Sequence, residues 1–359
     1  MAYRILLDCD PGLDDALALL LAHGDPDIEL VAVTAVGGNV GLDNTTENAL
    51  ALREYLGFDK IPVAAGAGKP LVREAKSAAH VHGERGLGTV RLPASVLPLD
   101  ERHAVDLIID TITKEPGAIH LVATGPLTNI ALALEKEPSI ARLVASFTIM
   151  GGSFTRGNAT PAAEFNIYAD PEAAKIVFGA DWQVTMVGLD LTLQAQANGP
   201  VVDRLRELGA LADELIVPLA TFWRDPNDAE WDGQAVHDVV AVAYVTRPDL
   251  FASRPARVEI ETRGEFTEGM TVVNFASPNP NAMVPVTLDV NGFWAYVEHV
   301  YGRVAKQITA KRGASAGAAT PAAPANPASP ADPSAATPAA ASADPLYTAK
   351  RGSTQKRGE

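Results

Sequence analysis

The sequence predicts an α/β protein, a single domain with a mainly parallel central sheet flanked by helices. Short apolar runs recur at residues 4–7, 30–36, 119–123, 147–150 and 184–188, each followed by a turn and a more helical or polar stretch. That is the rhythm of βαβ units. Ligand-binding types of residue also gather at the ends of those runs: Asp10, Asn39, Thr124 and the Gly151-Gly152 pair. In open α/β sheets ligands collect outside the carboxyl ends of the strands, so these scattered residues are expected to share one pocket.

The first strand, residues 4–7, runs into Asp8-Cys9-Asp10-Pro11-Gly12-Leu13-Asp14-Asp15 and then into the apolar stretch from Ala16 to Leu21. Pro11-Gly12 makes a tight turn between two pairs of carboxylates. Two unit charges ~4 Å apart repel by roughly 4 kcal/mol at an effective dielectric near 20, so the cluster asks for a cation, shared protons or open solvent. Asp14 and Asp15 alone would be read as helix capping, typically worth about 0.3–1 kcal/mol. One cap does not need four carboxylates, and a hard, oxygen-loving metal is the simplest partner. An EF-hand is excluded, because the twelfth position counted from Asp8 is Leu19 where a bidentate Glu belongs. Alternation along the strand turns Cys9, the lone cysteine, away from the face shared by Asp8 and Asp10 and makes it a packed thiol.

Further along, residues 203–220 read as one helix, and residues 237–245 begin another with an apolar Val/Ala face. Runs at 257–262, 270–275 and 284–290 read as strands. From about Lys311 the composition turns to Ala, Pro, Ser and Thr. Such a segment cannot bury enough apolar surface to offset its ordering entropy. The division is therefore a domain over residues 1–310 and a disordered Ala/Pro-rich tail over 311–359.

Composition narrows the function. A chain of 359 residues with 47% hydrophobic content has the material for a large core, and a net charge of −15 argues against nucleic-acid or anionic-membrane partners. No apolar run reaches the roughly 18 residues of a membrane span, and Asp8 and Asp10 interrupt any signal-like stretch, so a cytoplasmic location is expected. There is no Gly-x-Gly-x-x-Gly or P-loop pattern, which leaves nicotinamide or nucleoside-triphosphate chemistry without support. A phosphatase of the haloacid-dehalogenase type also places Asp-x-Asp after an apolar strand. Here, however, Gly12 stands where such enzymes usually carry Thr or Val.

Four more segments bear on the chemistry. They are Val36-Gly37-Gly38-Asn39; Val122-Ala123-Thr124-Gly125-Pro126-Leu127-Thr128-Asn129; Met150-Gly151-Gly152-Ser153, continuing through Gly157-Asn158 to Glu164-Phe165-Asn166-Ile167-Tyr168-Ala169-Asp170-Pro171-Glu172-Ala173; and Val236-His237-Asp238. Together with the acidic octet they resemble the inosine-uridine-preferring nucleoside hydrolase family, in order, from Asp8 to Asp238. The resemblance implies that family's fold, with a Rossmann-like core, and calcium-dependent hydrolysis of the N-glycosidic bond of ribonucleosides to ribose and a free purine or pyrimidine base. It also implies a homo-oligomer, dimer or tetramer.

By the same resemblance, Asp10, Asp15, the backbone carbonyl of Thr124 and Asp238 would hold Ca²⁺, whose flexible oxygen shell suits this set better than magnesium's octahedron. Asp10 would also be the general base, and His237 the acid that meets the leaving base. Asp14, Asn39, His82, Met150, Asn158, Glu164 and Asn166 would contact substrate, with Asp8 supporting the site from behind. Glu164 and Asn166, two residues apart, would aim to one side if the segment is extended. His80 reads as an exposed loop residue. Trp223 and Trp231 each fit two roles, stacking on a base or packing in the core. A phosphorylated substrate is not expected, since no phosphate cradle or Arg cluster accompanies the motifs. A silent nucleoside binder would keep the pocket but would need neither Asp10 nor His237.

Overall fold

The computed structural model describes residues 2–223 and 232–318. Its centre is a nine-stranded sheet built from β1 (Tyr3–Cys9), β2 (Ile28–Ala35), β3 (Val63–Ala65), β4 (Ile119–Ala123), β5 (Ser146–Met150), β6 (Val184–Val187), β9 (Phe251–Ile260), β10 (Thr271–Asn274) and β11 (Ala282–Leu288). Two short strands, β7 (Gln196–Ala197) and β8 (Gln234–Ala235), pair separately. The order across the main sheet is β10-β9-β11-β6-β5-β4-β1-β2-β3. Every pairing from β3 to β11 is parallel, and β9 lies antiparallel to both β11 and β10. The mainly parallel sheet read from the sequence is therefore present, with an antiparallel flank.

Alternation along the strands feeds two cores. Ile5, Leu7 and Cys9 join the cluster on one face of the sheet, and Leu6 joins the cluster on the other. The first face is covered by the helices Leu13–Gly24, Leu42–Leu56 and His237–Thr246, the second by Ala104–Lys114, Thr128–Lys136 and Pro171–Gly179. In the helix Leu13–Gly24 every residue but His23 is buried. That is why it is apolar all round rather than amphipathic: it is packed against the sheet below and other helices above. Each fully buried Leu of its Leu17–Leu21 segment is worth roughly 1.5–3 kcal/mol of transfer free energy.

The strand order reverses at β1, since β2 and β3 extend one way while β4, β5 and β6 extend the other. This topological switch point opens a crevice beyond the carboxyl ends of β1 and β4. Asp10 and Thr124 are the residues that follow those ends. No helix among the described residues is long and apolar enough to cross a membrane.

Three local readings are corrected. The single helix expected at 203–220 is instead a helix Gly199–Arg206, a π turn Ala212–Ile216 and a last turn Val217–Ala220. Gly209 breaks it with φ at +69°, and Pro218 brings no N–H to the ladder. Glu164 and Asn166 do not lie on extended chain: Glu164 caps the helix Phe165–Ala169, accepting the N–H groups of Asn166 and Ile167. The strand expected to open at Arg257 begins at Phe251. The final helix, Val290–Ala318, continues past Lys311; the tail beyond 318 lies outside the described residues.

Candidate active site

The acidic octet is shaped by its turn. Asp8 ends the β1 ladder on the face of Leu6, and its Oδ1 accepts the Thr34 hydroxyl at 2.6 Å and Asn129 Nδ2 at 2.8 Å. Cys9 points the other way, with its thiol donating to the Thr34 carbonyl at 3.7 Å. Asp15 accepts the Gly12 N–H at 2.9 Å, so it caps its own helix as well as facing the site. It also accepts Asn39 Nδ2 at 3.0 Å and the Thr124 hydroxyl at 2.9 Å. The Asn39 N–H donates to Asp10 Oδ2 at 2.6 Å, while Asp10 Oδ1 is buried without a hydrogen-bond partner. Gly38 is needed for this approach, since a Cβ there would collide with the Asp10 carboxylate.

The far half of the site arrives on the helix His237–Thr246. Its first N–H groups, from His237 and Asp238, point at the Asp14 carboxyl, a favourable meeting of an anion with a helix N-terminus. Carboxylate oxygens of Asp14, Asp15 and Asp238 lie within 4.8 Å of one another. Asp10 is not part of this triplet.

Burial dominates the electrostatics of the cluster. It pushes the Asp14 carboxyl up to about 6 and that of Asp15 to about 7, and it drives Asp10 and Asp238 well above the carboxylate range, each reinforced by its acidic neighbours. Asp8 rises to about 7 for the same reason, against the pull of Thr34 and Asn129. Burial thus favours the protonated form of these acids, and a bound cation would favour the ionised one. The site's donor set of carboxylates and the Thr124 carbonyl is all hard oxygen, and the orphaned Oδ1 of Asp10 is a vacant acceptor beside it. The residues fit a hard cation.

Above the acids opens a cavity of about 550 Å³. Asp14, Asn39, His82, Thr124, Met150, Asn158, Glu164, Asn166, His237 and Asp238 all line it, while Asp10 and Asp15 sit behind its floor. Asn166 Nδ2 donates to the carbonyls of Thr124 at 2.8 Å and Met150 at 3.0 Å, tying together the ends of β4 and β5. Glu164 also accepts the Gly152 N–H at 2.9 Å, and burial raises its carboxyl to about 7. Asn158 Oδ1 accepts the Phe165 N–H at 2.9 Å.

Burial favours the neutral form of His82 and His237. The Leu13 N–H donates to His82 Nδ1 at 3.1 Å, which leaves the ring proton on Nε2, and burial lowers its pKa to about 3. His237 Nδ1 pairs with the Thr192 hydroxyl at 2.7 Å, and burial lowers its pKa to about 4. The ordinary histidine pKa assumed from sequence therefore does not hold in the pocket.

The acidic octet and the four segments that accompany it, distant in the chain, thus meet at one cavity. The sequence profile described as inosine-uridine preferring nucleoside hydrolase matches residues 5–295. The chain belongs to this family. It is 47% identical over 310 residues to the inosine-uridine preferring nucleoside hydrolase of Leishmania major, covering 85% of this chain and 99% of that one. It is 42% identical over 299 residues to the pyrimidine-specific ribonucleoside hydrolase of Citrobacter koseri, covering 82% and 96%. Among solved structures, the purine-preferring ribonucleoside hydrolase of Gardnerella vaginalis superposes with a TM-score of 0.79 at 32% identity, covering 85% and 99%. The protein is a nucleoside hydrolase, a glycosidase-type enzyme acting on ribonucleosides.

Sequence reasoning missed several walls of the hydrolase cavity. Lys76, Ser77, Val81, Phe165 and Tyr168 line it. Tyr168 stood within a quoted motif, but a lysine amid Arg73, Glu74 and Ala75 carries no signal beyond a solvated surface. His80 is exposed, as expected, yet stands at the cavity on the short helix Ala79–His82. Trp223 is half exposed and packs edge-on against Phe222 at 5.5 Å, away from the core. Trp231 lies outside the described residues.

Proposed function

We propose that this nucleoside hydrolase is calcium-dependent and cleaves both purine and pyrimidine ribonucleosides, releasing ribose and the free base. The observation that carries the metal reading is the convergence of the Asp15 carboxylate, behind the cavity floor, with those of Asp14 and Asp238, which line it. Broad base choice is supported by the spread of base preferences in the names of its relatives, which range from inosine-uridine to pyrimidine and purine.

Asp10, Asp15, the Thr124 carbonyl and Asp238 are the residues that would hold the ion, with Asp14 close enough to share it. Bound there, a calcium ion would supply charge and a fixed place for water and the ribose 2′ and 3′ hydroxyls. Asp10, with one oxygen unpaired and the other fixed by the Asn39 N–H, takes the proton from the attacking water. Asn39, Asn158, Glu164 and Asn166 hold the ribose hydroxyls, and Asp14 stabilises the positive charge that develops on the sugar. His82 and His237 meet the departing base as neutral rings. With His82 Nδ1 occupied by the Leu13 N–H, its Nε2–H is the donor available to a base nitrogen or oxygen.

The test is to incubate the purified protein with inosine, uridine, cytidine, adenosine and a phosphate monoester, with and without a calcium chelator, reading reducing sugar and free phosphate. Ribose from purine and pyrimidine nucleosides, lost with the chelator and restored by Ca²⁺, is expected. Activity indifferent to the chelator would remove the metal, and phosphate release would point to the phosphatase instead. The protein is further proposed to work in the cytoplasm as a homo-oligomer, dimer or tetramer, which light scattering checks.

A further inference from the structure

Lys76 brings a charge to the cavity wall that neither the motifs nor the mechanism uses. Its ammonium donates to the Tyr168 carbonyl at 3.1 Å and to Glu268 Oε1 at 3.2 Å, and it stands 3.1 Å over the centre of the Tyr168 ring. Glu268 is shared with Arg73 at 2.5 Å, and Arg73 is in turn held by both oxygens of Glu172 at 2.7 Å. Two cations thus face two acids. The Lys76 charge is compensated where it meets the cavity, and about a quarter of its side chain stays exposed.

The direction of this wall follows from the rest of the pocket. Under the reading proposed above, on which this inference rests, the ribose 2′ and 3′ hydroxyls lie on the acidic floor and the base lies between His82 and His237. With Asn158 and Glu164 taken as ribose contacts, that reading leaves the 5′ carbon to face the wall formed by Phe165, Tyr168 and Lys76, where the Tyr168 carbonyl accepts from the ammonium.

We propose that Lys76, held in the cavity wall by Glu268, is a specificity-determining residue that sets which charge the enzyme accepts at the 5′ end of the sugar. Paired with Glu268, the ammonium gives an incoming anion little net attraction. A neutral 5′ hydroxyl enters freely. Removing the carboxylate charge of Glu268 leaves Lys76 as an uncompensated cation and favours a 5′-phosphorylated sugar.

The experiment uses the full chain with Ca²⁺ and compares wild type, Glu268→Gln, Lys76→Met and the double variant. Calorimetry reads binding of ribose 5-phosphate and of ribose, with inorganic phosphate as a control for anion binding elsewhere, and uridine hydrolysis is followed in parallel. Glu268→Gln is expected to tighten ribose 5-phosphate relative to ribose by about tenfold, as one added unit charge across a partly hydrated gap would do. The double variant should lose that gain, and salt should weaken it. An unchanged ratio in Glu268→Gln, or a gain that survives Lys76→Met or appears equally with inorganic phosphate, overturns the proposal. A merely structural role would move both sugars together. Because these probes need no turnover, failure of uridine hydrolysis would strike the proposed function separately.

Discussion

Asp8 makes a sharp test of the electrostatics beneath the site. It is wholly buried, its Oδ1 takes two donors, and its Oδ2 has none. Desolvation raises its pKa to about 7, whereas in the unfolded chain it ionises near 4. Between those values the native state holds a proton that the unfolded state has lost, so stability falls as pH rises, by about 1.4 kcal/mol per unit. From pH 5 to pH 8 the cost reaches about 3 kcal/mol. Asp8→Asn keeps an oxygen for Thr34 and Asn129 but cannot ionise. It leaves an amide N–H₂ unpaired where Oδ2 stood, a loss of about 1–3 kcal/mol that does not depend on pH. Urea unfolding of both proteins in chelator at pH 5 and pH 8 should therefore show the variant gaining about 3 kcal/mol on wild type between the two. A stability difference that is the same at both values would refute the assignment of a buried, titrating carboxyl.

The other predictions concern the site directly. Asp10→Asn should lower turnover by several powers of ten while leaving the melting temperature near wild type, and near-normal kcat would remove Asp10 from the base role. Gly38→Ala drives a methyl against the Asp10 carboxylate, so kcat should fall by about 10²-fold or more, as for a displaced catalytic group, with the fold retained by circular dichroism. His82→Ala should cut kcat/KM by about 10²-fold, typical of a lost acid–base partner, with the largest effect on nucleosides whose base leaves poorly. Because burial raises Asp14 and Asp15 to about 6 and about 7, protons compete with a cation. Ca²⁺ should raise the melting temperature more at pH 8 than at pH 5.5, and equal shifts would count against carboxylate ligation.

The sequence made the parallel sheet legible because β1, β4, β5 and β6 are buried on both faces and so read as unbroken apolar runs. It missed β3, whose three residues are too short for a period, and the early part of β9, where Pro255 and Arg254 mask the strand. The acidic residues of the candidate site were legible because carboxylates crowd one turn, an arrangement that needs explaining on its own. Lys76 and Tyr168 reach the cavity only through tertiary packing, and no local pattern marks them. The pKa of His237 was illegible for the same reason: burial sets it, and burial comes from elements brought in from elsewhere in the chain.

Cys9 gives the molecule a built-in reporter. It is the sole thiol of the chain, wholly buried one residue from Asp8 and from Asp10, with its ionisation suppressed by burial and the surrounding aspartates. A thiol reagent can reach it only when β1 leaves the sheet, and any such excursion also takes Asp10 from its place. The rate at which the folded protein is labelled therefore clocks the opening of the strand that carries Asp8 and leads into Asp10, on the unmodified chain and without an introduced probe.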